Sequence, residues 1–508
     1  MLKRNILFLL LAIFTALFSF SSCKKSKSDI GAVLFKESRN KVFKKIDSAK
    51  YYQVFRQMLT DSAANFRSPE VIKSFYKARD YEPYFIVNFF PDEKLETLLT
   101  YYQKAPEHGL SPDLFDYSEL KPLLDKLYDK KGIKTSEEAY PIIAYAELLS
   151  ANSLIKYTNA MKFGTVNPRQ IFARYYVKTA RPDSASMAKT LEVTDLQAHL
   201  DSIQPKNSDY KKLQQALKQG IEYPGLSREE TARVIKLNLE RMRWQNKKDD
   251  KRYIWVNIPD YSLTYFENGK PALRMKVIVG EAKEPRYYEK LREYNVTGDI
   301  DDRPFNHETP ILRSEINTIV VNPIWNIPKS IAQSEIAVKA AEDPYFLSNN
   351  NILVYYEGEE VDPYTIDWSQ VSRENIKFDF KQAPGKQNAL GKIKFLFPNS
   401  SSVYLHDTPA KQAFNLEKRA LSHGCVRVEK PLELARAIVG SGKQYDRIAA
   451  EFNGEVKQPD NFSIKDEVPV YLDYQTCWVD EKGNIQIRPD VYFLDRILYR
   501  KMADFLSK

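Results

Sequence analysis

Sulfur and imidazole are scarce in this chain: three cysteines and five histidines in 508 residues. No Cys/His cluster has the spacing of zinc ligands, which argues against a structural zinc site, and the chemistry read below needs no metal or organic cofactor. No dense Lys/Arg tract is present. The formal charge is +9 and falls to +7 once Lys3 and Arg4 are set aside with the leader. That is mild for the length; it excludes nucleic acid as the partner and supports at most a weak attraction to anionic polymers. A long membrane-spanning run is also missing. The apolar stretch Ile6–Phe20 is short for a span and ends in Ser21-Ser22, so residues 1–22 read as a leader. With 43% hydrophobic and 28% charged residues the chain is globular, and its length allows two or three domains.

Against that scarcity, Ser422-His423-Gly424-Cys425-Val426-Arg427 stands out, because one cysteine adjoins one of the few histidines. Tyr404-Leu405-His406-Asp407 lies just upstream, and Ser402–His406 reads as a strand that carries an imidazole to its tip. A thiol needs a base to react at neutral pH, and a base needs an orienting partner. Gly424 frees the backbone, so the N–H groups of Gly424 and Cys425 can turn toward a developing oxyanion. Three readings fit these residues alone: a Cys–His pair for acyl transfer, a disulfide between Cys425 and Cys477, and a lone buried thiol.

Ser422–Arg427, preceded by His406, resembles the SHGC-x-R signature of the L,D-transpeptidases (YkuD-like), which cross-link peptidoglycan. Val256-Asn257-Ile258-Pro259, Asn322–Pro328, Pro384-Gly385 with Asn388–Gly391, and Pro469-Val470 near Tyr474 are similar to the large multidomain periplasmic members. The resemblance implies an α+β multidomain chain, with an N-terminal α-helical scaffold domain and a mostly β YkuD-like catalytic domain bearing an inserted cap. It further implies Cys425 as nucleophile, His406 as base, the carbonyl of Asp407 as its orienter, and His423 as a brace for the loop. Arg427, Tyr404, Trp325, Ser422 and Asn388 are the expected substrate-binding residues. The expected partners are peptidoglycan stem peptides and other cell-wall enzymes. Two rivals remain: a cell-wall carboxypeptidase, cysteine peptidase or amidase, and a lipoprotein that binds peptidoglycan without catalysis.

In chain order, Phe20-Ser21-Ser22-Cys23 resembles a bacterial lipobox. It implies lipid on Cys23 and a periplasmic protein anchored to a membrane of the envelope, the outer one expected. Residues 23–48 are then the lipidated cysteine and its tether. Residues 49–248 are predicted helical: Leu95, Leu98, Leu99 and Tyr102 share one face, as do Leu120, Leu123, Leu124 and Leu127, and Ser227–Glu230 reads as a capping box. His108 and His199 in this region are expected to be structural. Residues 249–460 are the predicted catalytic domain, rich in short strands, with Asn268-Gly269 a hairpin turn and a helix over Pro431–Val439. The cap is expected at about 329–383, and residues 281–308, with His307-Glu308, are expected to be a loop and not a metal site. Residues 461–508 are expected as an extension packing on the catalytic domain. Anchoring through Cys23 has a direct check. Fractionating the envelope of cells expressing Cys23→Ser should find the protein released from membranes or with its leader uncleaved; a leaderless protein still in the membrane fraction would contradict it.

Overall fold

The computed structural model describes residues 28–62, 65–244, 250–455 and 458–507. The leader and Cys23 lie outside the described residues, and among those residues no helix is long and apolar enough to cross a membrane. Two compact units emerge. Of the described residues, the first holds those up to 105, 111–159 and 182–204; the second holds 106–110, 160–181 and those from 205 onward. Part of the segment expected in the helical domain therefore belongs with the β-rich unit.

The first unit is helical. Its start corrects the tether expectation: residues 30–38 form a helix whose N-cap, Asp29, accepts the Ala32 N–H at 2.9 Å. Ile30 and Leu34, one turn apart, are fully buried, and so is Phe43. Burying such residues stabilises the fold by about 1.5–3 kcal/mol each, which offsets part of the entropy lost in ordering the segment. The predicted stripes also bury Leu95, Leu98, Leu99, Tyr102, Leu120, Leu124 and Leu127. A single carboxylate fixes the short helix Tyr84–Phe89. Glu147, fully buried on helix Ser136–Phe163, accepts the N–H groups of Tyr84, Phe85 and Ile86 at 2.7, 2.9 and 2.7 Å, and the Tyr76 hydroxyl at 2.6 Å. These are the N–H groups that a helix start leaves without partners. His199 contacts the Thr158 hydroxyl at 3.0 Å, a structural role.

The second unit begins its own packing on helix Arg228–Arg243, opened by the predicted Ser227/Glu230 capping box. Within it Glu240 and Arg243 form a fully buried ion pair at 2.8 Å. Glu240 also accepts the Thr165 and Val166 N–H groups, while Arg243 donates to the His108 carbonyl and the Tyr210 hydroxyl. His108 sits in this network, its Nδ1 3.0 Å from the Tyr210 oxygen; burial drives its pKa down to about 3.

Strands follow: β1 (Arg252–Asn257), β2 (Ser262–Glu267), β3 (Lys270–Gly280) and β4 (Leu312–Val321). An inserted subdomain carries β5 (Trp325–Asn326), β6 (Ile352–Tyr356), β7 (Glu359–Val361) and β8 (Phe378–Gln382). After it come β9 (Ile393–Leu396), β10 (Leu405–His406), β11 (Ala420–Ser422), β12 (Val426–Val428) and β13 (Asp460–Asp473), then the hairpin β14 (Cys477–Val479) and β15 (Ile485–Ile487). The main sheet runs β11-β3-β12-β10-β9-β4-β13-β1-β2, and a further β2–β3 pairing joins its ends into a closed sheet with β11 beside β3. Asn268 and Gly269, both at positive φ (50° and 76°), make the turn from β2 to β3. Residues beyond 460 are more than an extension: β13 lies between β4 and β1, so the sheet is incomplete without it. The inserted subdomain has its own four-stranded sheet, β5-β8-β6-β7, and its own core around Ile331, Val354, Trp368 and Phe380.

Residues 281–308 are not a plain loop. They contain a helix, Tyr287–Thr297, and a short 3-10 turn, Ile300–Asp302. None of the residues of helix Tyr287–Thr297 is buried, so no apolar stripe announced it in the sequence.

Removing Glu147 would leave three helix N–H groups without acceptors. Glu147→Ala should therefore lower the unfolding free energy by about 3 kcal/mol or more, with Glu147→Gln milder. Urea unfolding followed by circular dichroism checks this, and an unchanged midpoint would contradict it.

Candidate active site

Two very short strands assemble the site. β10 and β12 pair in parallel with Leu405 opposite Val426 and His406 opposite Arg427, and the Val426 N–H donates to the Tyr404 carbonyl at 3.1 Å. Cys425 thus falls beside Tyr404. Since alternate residues share a face, Tyr404, His406, Cys425 and Arg427 project together. β10 is shorter than the predicted Ser402–His406. Ser402 sits at φ 52°, and Asn399 Oδ1 accepts the N–H groups of Ser401 and Val403, which holds residues 399–403 in a turn.

Gly424 turns the chain into β12 at φ 116°, where a side chain would be strained. Its N–H donates to Ser422 Oγ at 3.2 Å, and that hydroxyl donates in turn to the Cys425 carbonyl at 2.5 Å. Ser422 is buried, and both of these hydrogen bonds stay within the loop. The Gly424 carbonyl accepts from Thr309 Oγ1 at 2.9 Å, tying the end of the 281–308 insertion to the loop.

Cys425 and Cys477 are both free, which removes the disulfide reading. Burial pushes the Cys425 thiol up to about 11; hydrogen bonds from the Tyr404 N–H and hydroxyl, and the Arg427 and Arg174 charges, oppose that rise. The Tyr404 hydroxyl receives a hydrogen bond from Trp325, so indole, phenol and thiol form a chain. The His406 ring packs edge-on against Tyr404, centroids 5.7 Å apart. His406 Nδ1 donates to the Asp407 carbonyl at 2.5 Å, which leaves Nε2 as the basic nitrogen. Burial, then the Arg427 charge, lower the His406 pKa to about 3, against the pull of the Asp407 and Leu390 carbonyls. Thiol and imidazole are therefore both neutral at pH 7.

The Asp407 side chain serves the scaffold. Its carboxylate accepts the Lys392 N–H at 3.0 Å, pairs with Lys411, and packs against Gly391, where a Cβ would come within 2.4 Å. Asn388, expected to bind substrate, is likewise spent: its amide donates to the carbonyls of Pro323, Gln382 and Ala383 and accepts the Leu390 N–H. Its amide hydrogens are thus taken up by main-chain carbonyls, and the side chain serves the fold.

His423 points away from this row. It bonds Glu335, which lies in a π-turn of the inserted subdomain (Ala332–Ile336), and its ring stands 4.4 Å from that of His307. The His423 hydrogen bond holds the Glu335 carboxyl below its usual range, while burial and then the charge of His423 lower His307. No cluster among the described residues could hold a metal ion. Sequence reasoning missed His307, Glu335, Arg174 and Lys394. Only Lys394 left a trace, as a lone charge within the strand Ile393–Leu396.

Residues 251–455 match the family model of the L,D-transpeptidase catalytic domain (YkuD), and residues 70–217 match a scaffold domain. A Haemophilus influenzae protein named "Putative L,D-transpeptidase" is 31% identical over 362 residues, 70% of this chain and 67% of that protein. A free cysteine held on one sheet face with a buried, neutral histidine, in a chain with this likeness over both parts, identifies it as a member of the L,D-transpeptidase family.

Proposed function

We propose that this protein cross-links peptidoglycan by thioester acyl transfer. Cys425 Sγ attacks the carbonyl of the third residue in a tetrapeptide donor stem while its proton passes to His406 Nε2. The tetrahedral intermediate collapses: the C–N bond breaks, the imidazolium returns the proton to the leaving nitrogen, and D-alanine departs. An amine of a second stem then attacks the thioester, gives its proton to His406, and regenerates the thiol. The observation that carries this reading is the parallel β10–β12 register, which sets Tyr404, Cys425 and His406 on one face.

Roles follow from the surroundings of each atom. The Asp407 carbonyl fixes the tautomer that leaves Nε2 free. Tyr404 bonds to the sulfur and steadies the thiolate as it forms. With the Gly424 N–H turned to Ser422, the Cys425 N–H is left as the donor of this pair for the oxyanion. His423 acts through the loop, linked to Glu335 of the inserted cap. The working place is the periplasm, where lipid on Cys23 tethers the enzyme to the envelope.

Substitution and pH separate these roles. Cys425→Ala should abolish transfer from a disaccharide-tetrapeptide donor, read by mass spectrometry of the products, whereas Cys477→Ser keeps most of it. Equal loss from both would remove Cys425 as nucleophile. His406→Ala should lower the acylation rate at neutral pH by about 10²–10⁴. Raising the pH toward the thiol value of about 11 should restore part of it. His423→Ala should be impaired without alkaline rescue; rates with a chromogenic β-lactam across pH decide, and rescue of the His423 variant alone would reverse the two assignments.

A further inference from the structure

Two cations share the sheet face that carries Cys425, and neither is spent on the fold. The register places Lys394, His406 and Arg427 in one row across β9, β10 and β12. Tyr404 and Cys425 form the next row on the same face. The Lys394 ammonium lies 5.7 Å from the centre of the Tyr404 ring, close enough that a thiolate at Cys425 would stabilise its charge. Arg427 feels the same thiolate, and more weakly Glu281 and Glu335.

Two other buried arginines each face a carboxylate, Arg243 with Glu240 at 2.8 Å and Arg241 with Asp495 at 2.5 Å, although Arg241 Nη2 also lacks a hydrogen-bond partner. Here the pattern breaks. The Arg427 Nε is buried with no hydrogen-bond partner, and Lys394 forms no ion pair with a carboxylate among the described residues. Burial lowers the pKa of both, so the fold bears a cost for holding them charged. An arriving anion would remove that cost. Among the described residues, neither Lys394 nor Arg427 forms an ion pair with a carboxylate, although the charges of Glu281 and Glu335 reach Arg427.

We propose that Lys394, with Arg427, binds the terminal carboxylate of the donor stem, the one carried by the D-amino acid that leaves. This rests on the acyl-transfer reading of Cys425. That carboxylate sits on the carbon attached to the scissile nitrogen, so it lies within a few ångströms of the attacked carbonyl. A row of cations one pleat from the sulfur matches that offset: two residues along a strand span about 6.6 Å, and both side chains are long enough to reach back. Other carboxylates of the stem are several bonds farther from the attacked carbon. The contact selects donors that end in a free carboxylate one residue beyond the acylated position. It also neutralises a negative charge that would otherwise oppose thiolate formation.

The test pairs a substrate change with a protein change. The full-length protein, with Lys394→Met and Lys394→Arg, is assayed for kcat/KM on disaccharide-tetrapeptide and on the same donor ending in a carboxamide. The wild type should prefer the carboxylate by about tenfold or more, the scale of a lost charged hydrogen bond. Lys394→Met should lose that preference: losing a charge beside the sulfur slows both donors, but the carboxylate donor by about tenfold more, with that extra loss falling mainly on KM; Lys394→Arg should keep part of it. A third donor, with the terminal carboxylate intact and the second carboxylate of its third residue amidated, should behave as the parent does. Equal rates of the wild type on acid and amide, equal slowing of both donors by Lys394→Met, or a preference that follows the third donor would each overturn the assignment. A wild type inactive on every donor would instead overturn the acyl-transfer reading itself.

Discussion

The parallel pairing of β10 with β12 is the constraint on which the site depends. β10 has two residues and β12 three, so little main-chain bonding fixes their register. A slip of one residue would send Cys425 and Arg427 to the opposite face from Tyr404 and His406. The surroundings hold the register instead. Asn399 stops β10 from starting earlier, Ser422 and Gly424 set the entry to β12, and β9 and β3 flank the pair on either side. The insertion helps through Thr309, which bonds the Gly424 carbonyl and, by the same hydroxyl, accepts the Gly280 N–H at 2.8 Å.

Electrostatics then sets how the site works. Burial keeps the thiol protonated and the imidazole unprotonated, so the resting pair carries no charge. Around it stand Lys394, Arg427 and Arg174, a positive wall facing a neutral couple. Such a wall favours the thiolate only once a proton acceptor and a substrate are in place. The inserted subdomain reaches this balance through Trp325 on the Tyr404 hydroxyl and through Glu335 on His423, the latter at a π-turn. Turns of that kind are frequent at functional sites.

Much of this was legible in the sequence because it is local. The Ser227 capping box, the Asn268-Gly269 turn and helix Pro431–Val439 depend on neighbours a few residues away, and each forms as its residues dictate. The SHGC-x-R stretch identified the family, as the likeness over 251–455 shows. What was hidden depends on distant partners. The polar Asn388 looks like a ligand group until the Pro323 carbonyl is brought to it by the fold. β13 follows a helix and a Gly-containing turn, so nothing local shows that it enters the sheet between β4 and β1. The exposed helix in the insertion lacks an apolar stripe, and the helix at Ile30–Ser38 hides behind a run of lysines.

In the substrate-free protein the cysteine–histidine couple is neutral. The most direct measure of that neutrality is the rate at which iodoacetamide alkylates Cys425, followed by mass spectrometry across pH. A neutral couple predicts slow alkylation at neutral pH that keeps climbing through the alkaline range toward the thiol value of about 11. Fast alkylation already level at neutral pH would reveal a preformed thiolate–imidazolium pair and contradict the account.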